Sequence, residues 1–179
     1  AARSLPSSIR SFASPKSYNS QLGVALSLLM LSGEEQIALI EAGISQVGEM
    51  ERLERMIRPD VVVMTSIGDA HQSNFDSLEQ KIAEKLILAR NAQTFIYHSA
   101  YEQITDAIGD VLSVECRILD AANESVESLK TGGEAIRIDG QLVKTLCREL
   151  GFGEVALCQE DVAMRLEVKE GINSSTIIN

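Results

Sequence analysis

The run Val61 to Thr65, VVVMT, constrains the fold of this chain more than any other stretch. It is apolar without alternation and rich in β-branched side chains. That is the pattern of a strand covered on both faces, as in parallel sheets with helices on each side. The neighbouring segments continue the theme. Ile37 to Ala42 reads as a short strand bounded by Gly43. Val47 to Ile57 sets Met50, Leu53, Met56 and Ile57 at helical spacing, and Pro59 stops it. Asp76 to Arg90 reads as an amphipathic helix with Asp76 or Ser77 as its N-cap. TFIYH, Thr94 to His98, follows as a strand, then a helix near Tyr101–Ile108 and a strand, ECRIL. Strands alternating with helices through short connections predict an α/β fold, a mostly parallel sheet flanked by helices.

The flanks are less regular. Residues 1–20 are rich in Ser, hold Pro6 and Pro15, and read as a lead-in with one short strand, IRSFA. Gln21 to Leu31 is apolar nearly all round, which predicts a buried helix ended by Ser32-Gly33. In the last third, Glu134 to Val143 reads as a hairpin around Asp139-Gly140, a small antiparallel β element. A short helix near Lys144–Leu150, an amphipathic piece at Glu160–Leu166 and a strand, STIIN, complete the pattern.

Composition excludes several roles. The 179 residues suffice for one domain, or a domain plus a fragment, and 45% hydrophobic with 23% charged residues marks a globular chain. A net charge of −10 repels phosphate backbones and anionic lipid, so neither nucleic acid nor a membrane surface is an expected partner. An anionic ligand must then be held locally, by a metal ion, a helix N-terminus or a few placed cations. The longest apolar run, Leu22 to Leu31, is about half the ~20 residues of a membrane span. AARSLPSSIRSF has no apolar signal core, and a cytoplasmic location is expected. Cys116, Cys147 and Cys158 lack metal-type spacing and read as buried or free thiols in a reducing compartment. The chain opens without an initiator Met, as a fragment would.

Three residues stand out as candidate ligands of one site. Ligands of open parallel sheets bind at the carboxyl ends of the strands. Glu41 closes one expected strand, and His71 lies a few residues past the end of the next. A lone acid or histidine at a strand end is more often plain surface than a ligand. Lys85 sharpens the case, because it falls about 20° from Leu78 in the stripe formed with Ile82 and Ala89. A lysine there is costly unless it snorkels, is paired, or is modified. A carbamate on Lys85 would supply a carboxylate-like group suited to Mg²⁺, which prefers oxygen ligands and bridges phosphates.

These motifs carry a family resemblance. ALIEAGISQVGEM, RPDVVVMTSIGDAH and NFDSLEQKIAEK together resemble the central ATP-binding domain of the Mur ligases, in the MurF type that joins D-alanyl-D-alanine to UDP-N-acetylmuramoyl-tripeptide. YNSQLGVALSLL resembles the family's N-N-x-I-G-V-P-L-T-L-L segment, and MRLEVKEGINSSTIIN its junction into a C-terminal domain. The resemblance implies a P-loop NTPase-like fold, residues 1–165 as central domain and 166–179 as the start of the next. It implies ATP and Mg²⁺ as cofactors, UDP-MurNAc-peptide and D-Ala-D-Ala as partners, and a place in peptidoglycan synthesis for the cell wall. Glu41 and His71 match the magnesium-binding positions, and Lys85 matches the carbamylated lysine; Lys85 and His71 are the implied catalytic groups. Asn19 and Ser20 take the substrate-facing loop, and Ser66 the nucleotide-facing position.

The chain also departs from that pattern. It holds no G-x-x-x-x-G-K-S/T, which in the family would lie just upstream of Ala1, and no P-G-x-H-N-x-x-N-A segment. Ser66 replaces a common Asn, and Ser45-Gln46 a common Asn-His pair. A fragment of such a ligase is expected to be inactive alone. The alternatives are a folylpolyglutamate synthase-like ligase, since IAEK also suits that family's lysine motif, and a non-catalytic binding or scaffold module.

Overall fold

The chain lays down strands and helices in turn. β1 (Ser11–Ala13) leads to α1 (Gln21–Leu29), β2 (Ile37–Leu39), α2 (Glu49–Ile57), β3 (Val61–Val63), α3 (Leu78–Leu86) and β4 (Thr94–Tyr97). α4 (Glu102–Val111), β5 (Arg117–Asp120) and α5 (Glu134–Glu149) follow, then β6 (Val168–Glu170) and β7 (Thr176–Ile178). The computed structural model describes residues 4–16, 18–68, 71–126, 133–153, 155, 157, 168–170 and 176–178.

β3, β4 and β5 form a parallel sheet in that order, with Val62 opposite Phe95 and Phe95 opposite Ile118. β1 and β2 form a separate parallel pair, Phe12 opposite Ala38. This is the expected α/β architecture of parallel strands flanked by helices. Every residue of β4 is buried, and its side chains alternate between two cores. Phe95 and Tyr97, stacked with centroids 5.9 Å apart, face Ile82 and Leu86 of α3 and Ile104 and Ile108 of α4. Ile96 faces the other way, onto Ile138, Leu142 and Leu146 of α5. Each such side chain stabilises the fold by roughly 1.5–3 kcal/mol. The far end of α5 is tied to the strands as well, since Glu149 accepts from Thr94 Oγ1 at 2.9 Å and pairs with Arg117.

Two expectations fail. The stretch 134–143 is no hairpin but the first part of α5. Ile138, Leu142 and Leu146 recur every four residues and bury a helical stripe, and that burial overrides the Asp139-Gly140 turn signal. α5 ends in a Schellman motif: Gly151 takes φ +79°, and the Phe152 amide donates to the Cys147 carbonyl at 2.9 Å. Antiparallel pairing occurs further on, between β6 and β7. Nor is α1 buried all round. Gly23, Val24 and Ser27 face inward, while Leu22 and Leu29 are 70% and 82% exposed. An unbroken apolar run carries no polarity contrast to show which face turns in. Cys116 and Cys147 are buried free thiols. Cys158 and Glu160–Leu166 lie outside the described residues.

A third core, Val24, Ile44, Met50, Leu53 and Phe75, joins α1 and α2 to the segment before α3. Ile40 and Ala42, just past β2, pack against it.

Candidate functional site

Glu41 stands two residues past β2, exposed, in a loop held from both sides. Its backbone amide donates to Ser14 Oγ at 3.1 Å, and its Oε1 accepts from Asn19 Nδ2 at 2.9 Å. The Asn19 carbonyl accepts the Gly43 amide at 2.8 Å. A Cβ on Gly43 would stand 3.1 Å from Asn19 Cγ, so the glycine leaves room for that side chain. Two of the expected site residues are thereby brought together. Ser20, beside them, caps α1 by accepting from the Gly23 amide at 3.3 Å, a structural use of its hydroxyl.

The loop after β3 holds Ser66 and His71, both exposed. His71 has φ +59°, a left-handed conformation that few side chains adopt without support. It starts a 3₁₀ turn, Gln72–Asn74, closed by the Asn74 amide on the His71 carbonyl at 3.0 Å. Asn74 Nδ2 donates to the Ser45 carbonyl at 2.9 Å, which links this loop to the one that follows Glu41. The Ser45 and Gln46 amides are in turn fixed by Glu49, whose Oε2 accepts them at 2.6 and 3.1 Å. The Ser45 amide, more than any other contact, holds the Glu49 carboxyl below its ordinary pKa.

α3 contributes Lys85 in its last turn, and Ser77 caps its start as expected, accepting from the Gln80 amide at 3.1 Å. Lys85 is half-buried. That burial, and then the nearby charge of Lys81, lower its pKa from the ordinary lysine value. Lys81 is the residue that sequence reasoning passed over. It is 2% exposed, and its Nζ donates to the Gly68 carbonyl at 2.6 Å and to Gln72 Oε1 at 3.4 Å, 5.9 Å from the centre of the Phe75 ring. A signal existed: Lys81 and Lys85 lie four residues apart, so two like charges share one helix face. Glu84 was also missed. Buried at 6% exposure, its Oε1 accepts the Gly48 and Met50 amides at 2.8 and 3.1 Å and so caps α2.

The ends of β4 and β5 form a second polar cluster. His98 is buried; its Nδ1 accepts the Ala100 amide, so Nε2 carries the hydrogen towards Gln141 Oε1 at 3.0 Å. Asp120 Oδ1 accepts the Ser99 and Ala122 amides, both at 3.0 Å. Burial works to raise the Asp120 pKa, but these bonds outweigh it and the net shift is downward.

Among the described residues, no three acidic, histidine or cysteine side chains gather into a closed metal cage. An exposed carboxylate oriented by an amide at a strand end instead fits Mg²⁺, which takes one or two protein oxygens and fills its shell with water and phosphate. Glu41 meets that description. No described helix is long and apolar enough to cross a membrane.

A parallel sheet with polar loops at its carboxyl edge is the ground plan of the nucleotide-binding α/β proteins. Residues 4–136 match the Mur ligase middle domain, and the chain belongs to that family. It is similar to UDP-N-acetylmuramoyl-tripeptide–D-alanyl-D-alanine ligase of Borreliella burgdorferi, 38% identical over 79 residues, 44% of this chain and 17% of that protein. The same ligase of Bacillus subtilis is 35% identical over 69 residues, 38% of this chain and 15% of that one. The matched stretch therefore spans under a fifth of either relative. A crystal structure of MurF from Acinetobacter baumannii superposes with a TM-score of 0.72 over 95% of this chain and 44% of its own, at 17% identity. That last likeness is one of fold.

Proposed function

We propose that this chain is the central-domain portion of a MurF-type ligase, with residues 1–165 forming that domain and 166–179 opening the next. The parent enzyme joins D-alanyl-D-alanine to UDP-MurNAc-tripeptide. ATP phosphorylates the peptide carboxylate, and the incoming amine displaces phosphate from the acyl phosphate to form the amide. The observation that carries this reading is Glu41 at the carboxyl end of β2, oriented by Asn19, in a chain of the Mur ligase family.

In this reading Glu41, His71 and a carbamylated Lys85 would hold Mg²⁺. Bound there, Mg²⁺ neutralises charge on the transferring phosphoryl group. The lowered pKa of Lys85 favours the neutral amine, the form that adds CO₂. Asn19 orients Glu41 and faces the substrate; Ser20 shapes the same turn; Ser66 lies towards the nucleotide. The 179 residues contain no G-x-x-x-x-G-K-S/T, the motif whose backbone amides cradle a triphosphate, and in this reading the chain by itself is inactive.

The test is phosphate release by the parent gene product. Phosphate should form from ATP only when UDP-MurNAc-tripeptide and D-Ala-D-Ala are both present. Release that ignores either substrate sinks the assignment. On the chain alone, a rise in melting temperature with millimolar Mg²⁺ and nucleotide would support nucleotide binding by these residues, because a ligand of the native state stabilises it.

A further inference from the structure

Lys81 lies one turn before Lys85 on α3, yet it is the more deeply buried of the two. Burying an ammonium is unfavourable unless its hydrogens find acceptors. Here they do: the Gly68 carbonyl at 2.6 Å and the Gln72 side chain at 3.4 Å, with the Phe75 ring face 5.9 Å away. All three residues belong to the segment between β3 and α3, and two of them bracket His71. His71 itself sits at φ +59°, a conformation of order 1 kcal/mol or more above the common regions that surrounding contacts must hold. No other described lysine is so fully enclosed.

We propose that Lys81 is a positioning residue, its buried ammonium fastening Gly68 and Gln72, on either side of His71, so that His71 is presented in its left-handed conformation at the sheet edge. The proposal rests on the reading of His71 as a Mg²⁺ ligand for its consequence, though not for the geometry. In this role Lys81 acts through its contacts with Gly68 and Gln72. The amides of Asn74 and Phe75, bonded to the carbonyls of His71 and Gln72 at 3.0 and 3.1 Å, report that geometry directly.

The experiment compares the full chain with Lys81→Met, which keeps the length and apolar stem but removes the charge. Amide exchange is followed by NMR at Asn74 and Phe75, with the β4 amide of Phe95 as the core control, and Mn²⁺ affinity is measured by electron paramagnetic resonance. Lys81→Met should speed exchange at Asn74 and Phe75 at least ten-fold, leave Phe95 unchanged, and weaken Mn²⁺ binding at least five-fold. Lys81→Arg, with charge and donors kept, should restore most of the protection, and Lys81→Gln takes the place of the Met variant if that one does not fold. Unchanged exchange at Asn74 and Phe75 overturns the proposal, as does equal acceleration at Phe95, which would make Lys81 a general stabiliser. If exchange behaves as expected but the unmodified chain binds no Mn²⁺, the positioning role stands and the metal reading fails.

Discussion

Asn19 Nδ2 donates to Glu41 Oε1 at 2.9 Å, joining the start of α1 to the end of β2. The bond leaves the carboxylate one oriented and one freer oxygen. Partners that orient a metal ligand are worth about 10–100-fold in metal affinity. On the proposed reading of Glu41 as a metal ligand, Asn19→Ala is expected to weaken Mg²⁺ or Mn²⁺ binding about ten-fold while shifting the melting temperature little, because the bond lies at the surface. Isothermal titration with Mn²⁺ checks it, and unchanged affinity would remove Asn19 from the site.

Gly23 sets two physical effects against each other. Alanine is the better helix former by about 1 kcal/mol. Yet a Cβ at this position would stand 2.8 Å from the Tyr18 Cα and carbonyl carbon, which are backbone and yield poorly. Overpacking of that kind costs about 1–3 kcal/mol, so Gly23→Ala is expected to destabilise in net. Urea denaturation decides the sign.

Much of this balance could be foreseen and some could not. The parallel sheet was legible because strands covered on both faces write unbroken apolar runs, VVVMT and TFIYH. The positions of Glu41 and His71 just past strand ends were legible from the strand pattern, since Glu41 stands two residues past β2 and His71 follows β3. α5 was misread because Asp139-Gly140 is a strong local turn signal, and only packing against Ile96 and Ala121 shows which pattern prevails. Glu84 was invisible for another reason: the amides it caps lie 34 and 36 residues away in sequence. Long-range polar contacts leave no periodicity to read.

Glu84→Ala strands those two amides at the start of α2. Bonds to a charged group are worth about 1.5–3 kcal/mol, so a loss of about 2–3 kcal/mol is expected. Glu84→Gln keeps one acceptor oxygen and should lose less. Chemical denaturation of both variants tests the order, and equal losses would contradict it.

Lys85 carries a pH signature. Its folded pKa lies below 10.5, the value taken for the unfolded chain. Between the two, the unfolded state binds the extra proton, so stability rises with pH through that window and is flat below it. Lys85→Met should abolish the rise. Denaturation midpoints at several pH values in CO₂-free buffer, compared between the two proteins, give the answer; parallel profiles would deny the lysine its buried setting.

Gly151 ends α5 at φ +79°, where a side chain costs roughly 1–2 kcal/mol. Gly151→Ala should lower stability by about that amount, and Gly151→Asn by less, since Asn tolerates the left-handed region. Thermal melts of the two variants separate the cases.

α3 grips two loops at once. Lys81 reaches the segment after β3, and Glu84, a residue short of Lys85, reaches the start of α2 beyond the Glu41 loop. An α-helix is stiff along its axis, with a rise of about 1.5 Å per residue. A slide of α3 by even a fraction of that rise would drag both loops in the same direction by the same amount. The two strand ends thus share one mechanical freedom instead of two, and a push on either is felt at the other through a single short rod.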